Sequence, residues 1–123
     1  MSDRAKKVAA AENLLAMLSS QDLDGIMAAY AAEPTVHDPV GTEPKVGREA
    51  VRAFYESVVP LKPTATLLGP VTVSGDYAAF QFKLELTIGD NLVTVYATEM
   101  LRFDEALLVT EMTAVPDLEA AAG

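Results

Sequence analysis

The chain has 123 residues, half of them hydrophobic, and this length fits one compact domain over residues 1–123 with a sizeable apolar core. Nine Lys and Arg residues against eighteen Asp and Glu residues give a net charge of −9, which repels nucleic acid and anionic membrane surfaces. The absence of cysteine excludes disulfides and thiolate chemistry, and a single histidine excludes a histidine cluster for zinc, so no metal site is expected.

The N-terminal segment predicts an amphipathic helix over residues 3–20, with Ser2 or Asp3 as its N-cap. Its apolar stripe comprises Val8, Ala11, Leu14, Leu15 and Leu18. Glu12 and Asn13 interrupt the apolar run, so the segment is not typical of a signal peptide or a membrane span. We therefore expect a soluble, cytoplasmic protein that does not bind membranes.

Two further helices are predicted before the strands begin. Asp22 can cap the first of them, which ends before Pro34 because a proline ring disfavours helical geometry in the preceding residue. Its apolar face comprises Leu23, Ile26, Met27 and Tyr30. A turn-rich segment over residues 39–47 follows, and Pro60 is expected to stop a third helix. The apolar stripe of that helix comprises Val51, Phe54, Tyr55, Val58 and Val59.

From Thr64 onwards the hydrophobic period changes to two, which indicates strands. Alternation over residues 80–88, the turn Gly89-Asp90-Asn91 and a return strand over residues 93–103 predict a β-hairpin. A last strand is expected over residues 107–115, followed by an acidic, alanine-rich tail that frays. Helices followed by antiparallel strands predict an α+β domain in which a curved sheet wraps over the helices and leaves an apolar pocket.

Asp38 lies on the apolar parity of a short strand, where a carboxylate is costly to bury unless it has a function. It is therefore a candidate catalytic base. The structural alternative is a turn, because Asp followed by Pro39 and Gly41 commonly caps loops through nearby backbone amides. His37 alternates away from Asp38, towards solvent or a neighbouring loop, and receives no role.

Glu99 is the second carboxylate on an apolar parity, in the return strand of the hairpin. A bulge that turns it to solvent, or an ion pair with Arg48 or Arg102, is the alternative to a place in the pocket. If Asp38 and Glu99 face one small apolar pocket, like charge and desolvation raise their pKa values, and one serves as base while the other serves as acid.

Several segments carry a resemblance to a known family. They are residues 21–26 (QDLDGI), 35–44 (TVHDPVGTEP), 54–55 (FY) and 101–103 (LRF). Together they resemble the Δ5-3-ketosteroid isomerases of the nuclear transport factor 2-like (NTF2-like) and SnoaL-like superfamily. The resemblance implies a cone-shaped NTF2-like (cystatin-like) fold, with three N-terminal helices packed on a curved, mostly antiparallel sheet.

The resemblance also implies roles for the two carboxylates. Asp38 matches the base that carries a proton between two carbons of the steroid, and Glu99 matches a protonated aspartic acid in the oxyanion hole. Ketosteroid isomerases are themselves the standard example of a carboxylic acid kept neutral by an apolar site. The implied reaction moves the 5,6 double bond of a 3-oxo-Δ5-steroid into conjugation through a dienolate, with no metal or organic cofactor.

The sequence departs from the family pattern at the oxyanion hole. Glu99 stands where the family usually has aspartic acid, and Leu14 replaces the tyrosine of helix one, which implies reduced activity because leucine donates no hydrogen bond. Tyr30 and Tyr55 match positions that support the missing tyrosine. Either phenol is therefore a candidate substitute donor, and Tyr55 is assigned to the catalytic residues. The alternative is that the longer Glu99 side chain reaches the oxyanion alone.

The remaining site residues are expected to contact an apolar, steroid-like substrate. They are Leu14, Tyr30, Val40, Phe54, Phe82, Leu84, Leu101, Met112 and Pro116. The opposite face of the sheet carries Tyr96 and Met100, which predicts a homodimer through that face, as the family resemblance also implies.

Two alternatives to the isomerase remain open at this level. A SnoaL-like polyketide cyclase would use an acidic residue of the same cone on an aromatic precursor. A non-catalytic binder of steroids or other apolar ligands would keep the cavity and lose the donor. An epoxide-hydrolysing relative is less favoured, because activating water calls for a more polar constellation and no Arg is clearly placed for it.

Overall fold

A computed structural model describes residues 2–122, in which helices cover one face of a six-stranded mixed sheet. The helices are α1 (Asp3–Ser19), α2 (Leu23–Ala28), α3 (Arg48–Val58), a 3-10 turn (Val59–Leu61) and α4 (Leu118–Ala122). The strands are β1 (Tyr30–His37), β2 (Lys45–Val46), β3 (Thr64–Ser74), β4 (Tyr77–Ile88), β5 (Asn91–Phe103) and β6 (Val109–Pro116). The predicted α+β, NTF2-like architecture is confirmed.

The helix caps follow from the sequence. The Ser2 hydroxyl accepts a hydrogen bond from the Ala5 amide at 3.1 Å, and the Asp22 carboxylate accepts one from the Gly25 amide at 2.9 Å. Both segments therefore start where polar side chains satisfy free amides. α3 ends at Val58, and Val59 begins the 3-10 turn that also contains Pro60. The prediction that Val59 belongs to α3 is therefore wrong by one residue.

The prediction that Tyr30 belongs to the second helix is wrong, because α2 ends at Ala28 and Tyr30 begins β1. The Arg48 guanidinium, from the start of α3, donates to the carbonyls of Met27, Tyr30 and Ala31 at 2.9–3.0 Å. A six-residue helix has little stability of its own. These contacts and the pairing of β1 with β6 therefore set the point at which the chain becomes extended.

The sheet has the order β2-β1-β6-β5-β4-β3, and only β1 and β6 run parallel. The predicted hairpin is confirmed as β4 and β5, although Asn91 belongs to β5 and the turn itself is Gly89-Asp90. Burial alternates along β5 as its sequence predicts, with an inward face that comprises Val95, Ala97, Glu99, Leu101 and Phe103. The helices α1 and α3 pack over this concave face.

The C-terminal part differs from its prediction in two respects. The last strand begins at Val109, because the Asp104 carboxylate accepts hydrogen bonds from the amides of Ala106 and Leu108 and closes a turn there. The tail forms a short helix, α4, within the described residues, and its fraying stays a prediction. The Asp117 carboxylate caps this helix by accepting a hydrogen bond from the Ala120 amide. The Asp117 amide donates a hydrogen bond to the Tyr96 carbonyl at 2.8 Å.

Tyr96 and Met100 lie on the outer face of the sheet and are 57% and 39% exposed. Their outward direction agrees with the strand parity, and the homodimer through this face stays a prediction. Within residues 2–122, no helix is long and apolar enough to cross a membrane.

Candidate active site

An apolar cavity of about 210 Å³ lies between the concave face of the sheet and helices α1 and α3. Its walls are formed by Leu14, Leu15, Leu18, Asp38, Pro39, Phe54, Tyr55, Val58, Leu61, Phe82, Leu84, Leu86, Val95, Glu99, Met112, Pro116 and Leu118. All three residues assigned to catalysis from the sequence, Asp38, Glu99 and Tyr55, are in this lining. The cavity therefore joins side chains that come from three separate elements.

Asp38 directly follows β1, continuing the inward parity of the fully buried Val36, and its peptide bond to Pro39 is cis. Its loop is fixed to β6 by the Val40 amide, which donates to the Ala114 carbonyl at 2.9 Å. Within residues 2–122, no backbone amide donates to the Asp38 carboxylate, so the turn-capping alternative is not what the structure shows. Burial raises the pKa of Asp38 to about 6, and the Lys45 ammonium acts in the opposite direction.

Glu99 stands in the middle of β5, between Phe80 of β4 and Ala114 of β6, and is only 6% exposed. Neither alternative for Glu99 is observed. Arg48 is committed to backbone carbonyls, and Arg102 lies over the Tyr77 ring, at 5.7 Å from its centroid. Burial, and secondarily the Asp38 charge, raises the pKa of Glu99 to about 8. Near pH 7 Glu99 is therefore mostly a neutral acid, while Asp38 is mostly a carboxylate.

Two phenols form the polar support beside these carboxyls. The hydroxyls of Tyr30 and Tyr55 are 2.6 Å apart, and Tyr55 lines the cavity while Tyr30 is buried behind it. Burial raises the pKa of both phenols, so both stay neutral and keep their protons. If Tyr30 donates to Tyr55, the Tyr55 proton is free to point into the cavity. Leu14 contributes only hydrocarbon to this wall.

The other predicted contact residues divide into two groups. Leu14, Phe54, Phe82, Leu84, Met112 and Pro116 line the cavity. Tyr30, Val40 and Leu101 are outside this lining, and their contact with a ligand stays a prediction. Leu101 is completely buried in the core, and Val40 is 47% exposed because its loop turns outward after Pro39.

The sequence reasoning also missed part of the lining. Leu15 and Leu18 share the α1 stripe with Leu14, and Leu86 and Val95 lie on the inward parity of the hairpin, so their patterns carried the signal. Leu118 follows the last strand, and nothing in its local sequence marks it as a wall of the site. His37 faces Glu111 at 3.4 Å and is not part of the lining, as its parity predicts.

The curved mixed sheet, the helices over its concave face and the apolar cavity between them define an NTF2-like domain. The family model of the SnoaL-like domain matches residues 11–112, and the chain belongs to this family. A steroid Delta-isomerase from Nocardioides simplex is 35% identical over 89 residues, which cover 72% of each protein.

A solved structure supports the fold independently. The epoxide hydrolase/cyclase-like enzyme SalBIII, described for its role in pyran ring formation in the polyether salinomycin, superimposes with a TM-score of 0.91. The match covers 97% of this chain and 96% of that one, at 21% sequence identity. At this identity the similarity shows the fold alone.

The buried carboxyl of Glu99 should make the fold less stable at alkaline pH. Its pKa is about 8 in the folded protein and near 4.5 in an ordinary environment, so the folded state holds a proton that the unfolded chain has lost. The contribution of Glu99 to the free energy of unfolding is therefore highest below about pH 4.5 and falls as the pH rises towards 8. We expect a loss on the order of 3–5 kcal/mol across this window.

Urea denaturation of the wild type and of Glu99→Gln at pH 5, 7 and 9 measures this dependence. The Gln variant keeps the shape and cannot ionise, so its unfolding free energy should decline much less between pH 5 and pH 9. Asp38, with a smaller rise in pKa, contributes in the same direction at lower pH. Equal declines in the two proteins would show that Glu99 ionises freely in the folded state.

Proposed function

We propose that the protein is a steroid Δ-isomerase, which moves the 5,6 double bond of a 3-oxo-Δ5-steroid into conjugation with the ketone. Asp38 acts as the base that carries the proton, and Glu99 acts as the protonated donor to the developing oxyanion. Tyr55 serves as a second donor. The proposal joins the site geometry to the 35% identity with a steroid Delta-isomerase.

The observation that carries the proposal is the pair of carboxyls in one apolar cavity. The side chains around both carboxyls are almost all apolar, and burial raises the pKa of Asp38 to about 6 and that of Glu99 to about 8. Near pH 7 one carboxyl can accept a proton and the other can donate a hydrogen bond. Proton transfer at a carbon beside a ketone needs both functions at once, because negative charge appears on the ketone oxygen as the proton leaves.

In this mechanism the Asp38 carboxylate removes a proton from the carbon between the carbonyl and the double bond. The C–H electron pair becomes part of a dienolate, whose oxygen accepts hydrogen bonds from neutral Glu99 and from Tyr55. The protonated Asp38 then returns the proton to the far carbon of the former double bond, and the electrons of the dienolate reform the ketone. The proton and the electrons balance without any other reactant.

The cavity walls support a hydrocarbon ligand with one polar end. Apart from Asp38, Glu99 and Tyr55, all the lining residues are apolar. The volume of about 210 Å³ is below the roughly 300–1,000 Å³ of typical ligand pockets, so a whole steroid would not be enclosed. We expect the ketone end to lie inside the cavity and the rest of the steroid to extend from its mouth.

The test is turnover of 5-androstene-3,17-dione, followed by the absorbance of the conjugated enone as a function of pH. The value of kcat/KM should rise with pH as Asp38 ionises near pH 6 and fall as Glu99 ionises near pH 8, giving a maximum near pH 7. In Glu99→Gln the alkaline fall should disappear, since the amide donates at every pH. A rate equal to that of buffer across this range contradicts the proposal.

One observation favours a second candidate, a non-catalytic steroid binder. Leu14 removes a donor from the oxyanion hole and leaves the apolar walls intact, a change that harms turnover more than affinity. Calorimetric binding of the product enone, together with absent turnover, would support this candidate. The SnoaL-like cyclase remains a weaker alternative, because its support is at the level of family and fold.

A further inference from the structure

We infer that Lys45 is a positioning residue for the base: its ammonium holds the Asp38 segment at the cavity wall and supplies a positive charge there. Lys45 is outside the cavity lining and comes from β2, a strand of only two residues. The inference rests on the proposed function for its kinetic consequence, although its electrostatic part is testable without turnover.

The contacts of Lys45 tie it to two parts of the cavity wall. Its ammonium donates a hydrogen bond to the Asp38 carbonyl at 2.5 Å and lies 5.0 Å from the centroid of the Phe54 ring. Asp38 and Phe54 both line the cavity. Lys45 pairs with Val36 in the β1–β2 ladder. Because Val36 is two residues before Asp38, this pairing brings the Lys45 side chain within reach of the Asp38 carbonyl. The side chain therefore clamps the end of β1 against α3.

The charges around Asp38 make this ammonium important. Glu99 faces it from β5 as a neutral acid near pH 7, and the phenols of Tyr55 and Tyr30, from α3 and β1, are also neutral. On β1 and β6, His37 and Glu111 face each other at 3.4 Å and not the cavity. Lys45 is the one cation in the described residues whose charge lowers the pKa of Asp38 against the effect of burial.

Arg48 is the next cation after Lys45 along the chain. Its guanidinium donates hydrogen bonds to three backbone carbonyls.

A purely structural role is the alternative, and replacing the charge while keeping the shape separates the two. Lys45→Met keeps the aliphatic stem and removes the ammonium, whereas Lys45→Arg keeps the charge and the donor. Lys6→Met, at an exposed position on α1, makes the same change of net charge away from the site. Thermal unfolding of each variant checks that the fold is kept.

The experiment titrates the Asp38 carboxyl directly, by ¹³C NMR of protein labelled at the aspartate carboxyl carbons, with Asp38→Asn identifying the resonance. An opposite charge about 4–6 Å from a carboxyl lowers its pKa by about 1–3 units, and the Lys45 ammonium bonds the backbone carbonyl of Asp38 and not its carboxylate. We therefore expect the lower end of this range, so Lys45→Met should move the Asp38 midpoint upward by about one pH unit. The acid limb of kcat/KM should move by the same amount, lowering activity at pH 6 about fivefold, with less change at pH 8. Lys45→Arg and Lys6→Met should leave both midpoints near the wild-type value.

A folded Lys45→Met protein whose Asp38 midpoint stays in place overturns the inference, and so does an equal shift in Lys6→Met. If Lys45→Met does not fold, an upward shift in Lys45→Gln supports the inference, and an unchanged midpoint overturns it. The NMR midpoint moves or stays whether or not the protein turns over a steroid. Failure of this inference is thereby distinguishable from failure of the isomerase proposal, which the enone assay alone decides.

Discussion

Asp38→Asn should lower kcat/KM for 5-androstene-3,17-dione by a factor on the order of 10²–10⁴, the usual contribution of a positioned general base. The amide has nearly the shape of the carboxylate and cannot accept a proton at neutral pH. The cavity, the neutral Glu99 and the Tyr55 hydroxyl all remain. Binding of the product enone should therefore change much less than turnover, and the loss should appear mainly in kcat.

His37→Gln is the matched control for this variant. His37 is adjacent in sequence, faces Glu111 and is not part of the cavity lining, so its replacement should leave kcat/KM within about twofold of wild type. Asp38→Asn should also be at least as stable as wild type at pH 8, because it removes a carboxylate that burial disfavours. An Asn variant that is folded and retains full activity would exclude Asp38 as the base.

Leu14→Tyr should raise kcat by a factor on the order of 10², because it adds a hydrogen-bond donor to the wall that already carries Glu99 and Tyr55. Leu14 belongs to α1 and lines the cavity, so a tyrosine at this position would add a hydroxyl to the cavity surface. The Tyr55 hydroxyl, 2.6 Å from that of Tyr30, is the phenol that the cavity lining already contains. Strengthening the contact to the oxyanion acts on the transition state more than on the bound ketone.

Leu14→Phe separates the donor from the added volume. The phenylalanine ring fills the same space without a hydroxyl, so any gain in kcat that comes from the hydrogen bond should appear in Leu14→Tyr alone. Both variants can lose about 1–3 kcal/mol of stability through overpacking, which urea denaturation measures. Equal rates in the two variants, with both folded, would mean that the existing donors already satisfy the oxyanion.

The strand periodicity predicted the inward direction of the two carboxyl side chains, Asp38 and Glu99. Alternation along the hairpin placed Glu99 on the apolar side, and the parity of the short strand placed Asp38 in phase with Val36. Both side chains turn inward, since a two-residue period depends on backbone geometry that local sequence determines. The resemblance to a known family added the roles, which sequence patterns do not provide.

The remaining errors have tertiary causes. Tyr30 fits a helical stripe, but Arg48 and β6 hold it in a strand, and neither contact is visible from nearby residues. Val40 and Leu101 follow the expected apolar patterns, yet the outward turn after Pro39 and the depth of the core remove them from the cavity lining. The closeness of Asp38 to Glu99 depends on β6 lying between their strands, which is a property of the sheet order.

That sheet order also determines when the cavity can exist during folding. β1 and β6, which lie far apart in the sequence, form the one parallel pair among the strands of residues 2–122, and in it Tyr30 matches Val109 and His37 matches Thr113. The loop closed by this pair contains β2, α3, the 3-10 turn, β3, β4 and β5, so the entropy cost of closing a long loop opposes this contact. During synthesis the β4–β5 hairpin can form from neighbouring residues alone. The end of β1 that carries Asp38 takes its place in the sheet only after β6 has been synthesised. The candidate site is therefore a late product of folding, because it is assembled only after β6 has been synthesised.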